Sequence, residues 1–194
     1  KAVELSRSGE TLVALGQAYE KAGSLAEALE SYRGAAAAAP TSAEPQERIA
    51  TLLAQVGRCE EAIPAFQRAI AIDRKLTRLR LGQAECTARL GKHEEAVHLY
   101  QDLLKSDPRA VQAYFPLARS LHEWKGMAAA LPWYERAARD DPDNAMPHYY
   151  LAYAYKEHGQ KARAVQEFRK FLEKKPDAPE KKDIEAEIED LAGK

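Results

Sequence analysis

The chain has 194 residues, with 29 Lys and Arg against 30 Asp and Glu, a net charge of −1, and 45% hydrophobic residues. That balance gives no basic surplus to attract phosphate backbones and argues against nucleic acid as a partner. No run approaches the roughly 20 apolar residues a helix needs to cross a bilayer, so direct membrane insertion is not expected.

Residues 1–8 read as the end of a helix belonging to an upstream unit, as at the edge of a longer array. Helix pairs are then predicted at residues 10–22 and 25–39, 44–56 and 59–72, 77–90 and 93–106, 111–124 and 127–140, and 145–158 and 161–174. Between the two members of each pair stand Gly23, Gly57, Gly91 and Gly159, with Gly126 one place late. These suit the left-handed conformation that ends a helix. Pro40, Pro108, Pro142 and Pro176 stop the second helix of four pairs, while Arg74 takes that slot in the remaining one. Pro45 and Pro147 fall in first turns, where the missing N–H has no partner anyway. Pro64, Pro116 and Pro132 lie deeper and are expected to distort the first turn. The chain closes with Ile184, Ile188 and Leu191 on one stripe among acidic residues, the one-sided pattern of a helix capping an array over residues 178–194.

These pairs are copies of one unit. Ala28, Ala62, Ala96, Ala130 and Ala164 stand 34 residues apart, and four residues after each comes Tyr32, Phe66, Tyr100, Tyr134 or Phe168. Twelve positions before each alanine is another small residue: Gly16, Ala50, Ala84, Ala118 or Ala152. Residues four apart share a helix face, so each alanine and its aromatic form the inner stripe of a second helix. Small residues where the two helices meet let their axes approach closely. The period divides the chain into units at 9–42, 43–76, 77–110, 111–144 and 145–177. Such an array buries its core between neighbours rather than in one globule.

The pattern resembles the tetratricopeptide repeat family over residues 9–177. The first unit carries Leu15-Gly16, Tyr19, Gly23, Ala28, Tyr32, Ala35 and Pro40, and the fifth Leu151-Ala152, Tyr155, Gly159, Ala164, Phe168 and Pro176. Departures are Gln83 and Thr87 in the third unit, and Leu103 and Phe171 in place of the late alanine. The resemblance implies an all-α, right-handed superhelical solenoid whose first helices line a concave groove that binds a protein or peptide. Lysines and asparagines that clamp chaperone C-termini in some members are absent, since those places hold Val13, Gln17, Glu47 and Thr51.

Chemistry is hard to find in the chain. The histidines lack the i, i+4 pairing of a metal site, and Cys59 and Cys86 lack metal spacing, which mildly favours a reducing compartment. No catalytic role and no cofactor are expected. The expected site is the groove, lined by first-helix residues not used for packing: Arg78, Arg89, Phe115, Arg119, His122, Met146, Tyr149, Tyr153 and Lys156. Aromatic and arginine side chains are enriched among binding hot spots. The plainer alternative is that these rings fill gaps between repeats, as is expected for Tyr114, His148 and Tyr150. The expected function is a protein-interaction scaffold within a larger protein, taking an extended peptide or a folded regulator such as a small GTPase. Self-association through an apolar N-terminal edge, or orientation of a catalytic domain elsewhere in the intact protein, are the rival readings. The expected location is the cytoplasm, with the periplasm as the alternative because the natural N-terminus is missing.

Overall fold

A computed structural model describes the backbone of residues 2–193 and the side chains of residues 8–193. Its regular elements are all helical: α1 (Ala2–Lys21), α2 (Leu25–Ala38), α3 (Ala43–Gln55), α4 (Cys59–Ile72), α5 (Thr77–Arg89), α6 (His93–Ser106), α7 (Tyr114–Lys125), α8 (Met127–Asp140), α9 (Met146–Glu157), α10 (Lys161–Lys174) and α11 (Lys181–Ala192). The chain divides into two compact units, residues 1–99 and 100–194, with the division inside α6.

Two boundaries differ from expectation. The described part of residues 1–8 is continuous with α1, with no turn before the first repeat; Lys1 lies outside the described residues. Gly9, which follows this stretch, does not break the helix; a Cβ there would lie 3.0 Å from the Ala39 Cβ, so it serves close packing. Residues 111–113 wind as a 3-10 turn before α7 begins at Tyr114. Pro116 has no N–H for the residue 112 carbonyl, so an α-helix starting at 111 would lack that bond, whereas starting at Tyr114 puts Pro116 in the permissive first turn. Pro64 and Pro132 lie inside α4 and α8, which continue through them.

The glycine turns follow one design. Gly23 has φ +78°, its N–H bonds the Glu20 carbonyl, and Ser24 reaches back to Tyr19, closing the first helix. Gly126 is different: with φ 86° and ψ 172° it ends α7 and starts α8 by itself, making a one-residue corner.

The periodic residues form the core. Ala28, Ala62, Ala96, Ala130 and Ala164 are all fully buried, and their aromatic partners are at most 3% exposed. Gly16 has a specific packing role, because a Cβ there would fall 2.5 Å from the Tyr32 ring. The Tyr32 hydroxyl donates to Glu20 at 2.7 Å. Of the departures, Thr87 is buried and donates to the Gln83 carbonyl at 2.9 Å, which satisfies its hydroxyl. Leu103 and Phe171 are buried where alanine is usual. Cys59 and Cys86 are free, buried and hydrogen-bonded to each other. Burial, then that bond, push the Cys86 thiol up to about 12, so it stays protonated and unreactive.

Candidate functional site

In unit 1, residues 1–99, the first helices α3 and α5 lie side by side and are joined by two arginines. Arg78 makes a bidentate contact with Glu47, two bonds of 2.7 Å, and Arg89 donates to the Ala54 carbonyl at 2.9 Å. Ala54 sits in the last turn of α3, where carbonyls lack helical donors and the helix dipole favours a cation. Between the two bridges lies a cleft of about 350 Å³ that includes Thr51, Gln55, Phe66, Gly82 and Glu85. Its floor is possible only because residue 82 is glycine, since a Cβ there would lie 2.7 Å from the Phe66 ring. Desolvation raises the Glu85 carboxyl above the ordinary carboxylate range, and Arg89 offsets this in part. The result is an apolar floor with cationic, carboxyl and neutral hydrogen-bonding groups at its rim. The sequence places Arg78, Arg89 and Glu85 on the groove face of α5; Phe66 was not legible there because it comes from the second helix α4, nor was Gly82, whose role depends on that ring.

Unit 2, residues 100–194, treats its candidates differently. Phe115 and His122 pack around a stacked pair, Tyr134 and Tyr150, whose rings are 5.0 Å apart and nearly parallel. Tyr150 therefore joins repeats, as expected. His148 instead packs within its own repeat, whereas Tyr114 packs within its repeat and its hydroxyl also donates to the Pro108 carbonyl of the preceding one, at 3.5 Å. Tyr114 stacks on Trp133 at 6.2 Å, and His148 Nδ1 meets Glu167 at 2.6 Å across α9 and α10. Arg119 is exposed.

Met146, Tyr149, Tyr153 and Lys156, expected on an open face, are engaged. Tyr149 lies 5.2 Å from Phe171 and 4.9 Å from Tyr153, which meets Phe168 edge-on at 5.1 Å. Met146 and both tyrosines belong to one apolar cluster with the fully buried Ile184 of α11, joined by Ile188 and Leu191. Lys156 pairs with Glu187 of α11. The sequence displays the apolar stripe of α11 but not the surface it will cover. Burial, then a hydrogen bond with Tyr153, push Tyr149 up to about 12.

The family model described as tetratricopeptide repeat matches residues 4–43, 47–97 and 81–145, and a second of the same description matches residues 133–166. The chain belongs to the tetratricopeptide repeat family. No curated protein sequence matches it. Among solved structures, it resembles MamA from Desulfovibrio magneticus at 16% identity and TM-score 0.78, covering 89% of this chain and 97% of that one. It resembles a tetratricopeptide repeat protein from Parabacteroides merdae at 18% identity and TM-score 0.79, covering 96% and 74%. It also resembles YrrB, described as a protein of this family with an unusual peptide-binding site, at 16% identity and TM-score 0.71, covering 90% of each chain. These likenesses establish the fold. Family membership makes the chain a protein-interaction scaffold of a kind that binds proteins or peptides and is typically non-catalytic. Among the described residues, no helix is long and apolar enough to cross a membrane.

Proposed function

We propose that the chain binds a segment of another protein on its first-helix face, with the cleft between α3 and α5 as the principal seat. The observation that carries this reading is the ring-floored cleft bounded by Arg78, Glu85 and Arg89. An apolar side chain would lie over Phe66, and a donor from the partner would relieve the partly desolvated Glu85 carboxyl. Arg78 can turn from Glu47 to a partner carboxylate at little cost, because exposed ion pairs are worth about 0–1 kcal/mol. In unit 2, Phe115, Arg119 and His122 offer a further contact surface on the same kind of helix, whereas Met146, Tyr149, Tyr153 and Lys156 serve mainly to seat α11.

The test is affinity capture from source cells with the parent chain and a Glu85→Ala/Arg89→Ala variant shown by circular dichroism to be folded. A protein retained by the parent and lost by the variant supports the cleft. Equal retention removes it.

A second reading, end-to-end assembly, is favoured by Leu15. It is 44% exposed, whereas Ile49, Leu117 and Leu151 at the same place in other repeats are at most 7% exposed. A sedimentation coefficient that rises with concentration in the parent but not in Leu15→Lys supports assembly; unchanging monomer in both rejects it.

A further inference from the structure

The opposite face of unit 1 carries a second groove, walled by the second helices α2 and α4 and floored by α3. A cleft of about 630 Å³ is bordered by Arg33, Ala36, Gln46, Ile49, Pro64 and Arg68. A neighbouring cleft of about 270 Å³ shares Ala36, Gln46 and Arg68 and extends it to Pro40 and Ile72. The space has a sequence origin: α2 runs through Gly34 and alanines at 35–38, with another at 39. Where Ala36 stands in the first repeat, the second, third and fifth carry Ile70, Leu104 and Leu172. The wall of α2 is therefore too thin to fill the gap.

The groove also holds polar groups without partners. The Gln46 Oε1 atom is buried and accepts no hydrogen bond among the described residues. A buried acceptor left without a donor is unfavourable, so it favours any occupant that supplies one. Pro64 has no N–H to give the Glu60 carbonyl, so a second acceptor on the same stretch of α4 loses its helical donor. Arg68 has no ion-pair or hydrogen-bond partner among the described residues. Among the described residues Arg33 pairs only with Glu61, at 3.9 Å, and that carboxylate is already held by Arg58 through two bonds of 2.7 Å. Glu60 marks the other end of the cleft.

We infer that this groove binds an extended segment of another protein that brings an apolar side chain, free backbone N–H groups and an acidic residue. The apolar side chain covers Ala36 and Ile49, a backbone N–H satisfies Gln46, and the acidic side chain pairs with Arg68. An extended segment is required because the interior N–H groups of a helix are already bonded within it, whereas an extended backbone still presents them. The site shares α3 and α4 with the cleft between α3 and α5 but no lining residue, so it stands or falls separately from it.

The test is panning of a phage library of random dodecapeptides against the chain, followed by fluorescence anisotropy with the enriched peptides. Three folded variants are compared: Ala37→Trp, which fills the groove from an exposed position, Arg68→Glu, and Arg89→Ala on the other face. The expected result is enrichment of peptides combining acidic and apolar residues, with binding at least ~10-fold weaker to Ala37→Trp and to Arg68→Glu, a change of about 1.4 kcal/mol. Binding to Arg89→Ala should match the parent. No enrichment, enrichment of basic peptides, or peptides lost only with Arg89→Ala would each overturn the inference. Self-association of the parent that Ala37→Trp abolishes would also overturn it, by giving the groove to a second copy.

Discussion

The two units carry the same 34-residue pattern but use their variable positions in opposite ways. Unit 1 brings rings close to glycines, Gly16 against Tyr32 and Gly82 against Phe66, and keeps its helix surfaces thin, so clefts remain between helices. Unit 2 packs ring on ring, from Phe115 through Tyr134 and Tyr150 to Tyr149, Tyr153 and Phe168, and covers its last repeat with α11. The period specifies the helix pair; the residues between periodic positions decide whether a surface is open or sealed.

The strongest way to break unit 2 is Ala130→Arg. Ala130 is fully buried, so the guanidinium must enter a packed apolar interface or force the helices apart. A loss above about 4 kcal/mol is expected. Both tryptophans, Trp124 and Trp133, lie in unit 2, so their fluorescence reports this unit directly. An unchanged emission spectrum and urea midpoint would contradict the packing.

Next in size is Tyr153→Ala, which asks whether the tyrosines of α9 seal the structure. Loss of the contacts with Tyr149 and Phe168 should cost about 2–3 kcal/mol. Hydrogen exchange in α11 should rise with it. Wild-type stability and unchanged exchange would return Tyr153 to the open face.

The reason this second case was not legible in the sequence lies in what a repeat encodes. Ala28, Gly16 and Tyr32 announce their packing because their spacing matches the geometry of one helix pair. Tyr149 and Tyr153 are distinguished only by what lies over them, and the apolar stripe of Ile184, Ile188 and Leu191 does not name its target. Gly82 falls outside the period, yet it meets Phe66 of the preceding repeat. The alanine run of α2 was visible, but its consequence depends on where α4 stands. Contacts among the periodic positions were readable, while those of most variable positions required the structure.

A smaller effect separates buried from exposed charge. Glu167 is buried, contacts His148 Nδ1 at 2.6 Å and accepts from Lys170 at 2.7 Å. Burial opposes its ionisation, but these bonds outweigh it and hold the carboxyl below its ordinary value of 4.5. A carboxyl with a lowered folded-state value stabilises above its unfolded value, and the contribution disappears as pH falls through the lowered one. Glu167→Gln should therefore cost about 1–2 kcal/mol at neutral pH. The gap between variant and parent should narrow once pH drops below 4.5. A gap that stays constant down to pH 3, as a test condition, would mean that ionisation contributes nothing.

The smallest effect is expected at the Arg78–Glu47 bridge of unit 1. Its geometry is bidentate and the Glu47 side chain is 19% exposed, yet the Arg78 side chain is 63% exposed, so water and salt compete at the arginine end. Arg78→Ala should change stability by no more than about 1 kcal/mol, and added salt should shrink even that. A double-mutant cycle with Glu47→Ala isolates the pair. A coupling above about 2 kcal/mol would place the bridge among the structural contacts of the α3–α5 seam, and Arg78 would then no longer be cheap to redirect. A small coupling leaves the guanidinium available to a ligand, which is the condition a binding role in the cleft requires.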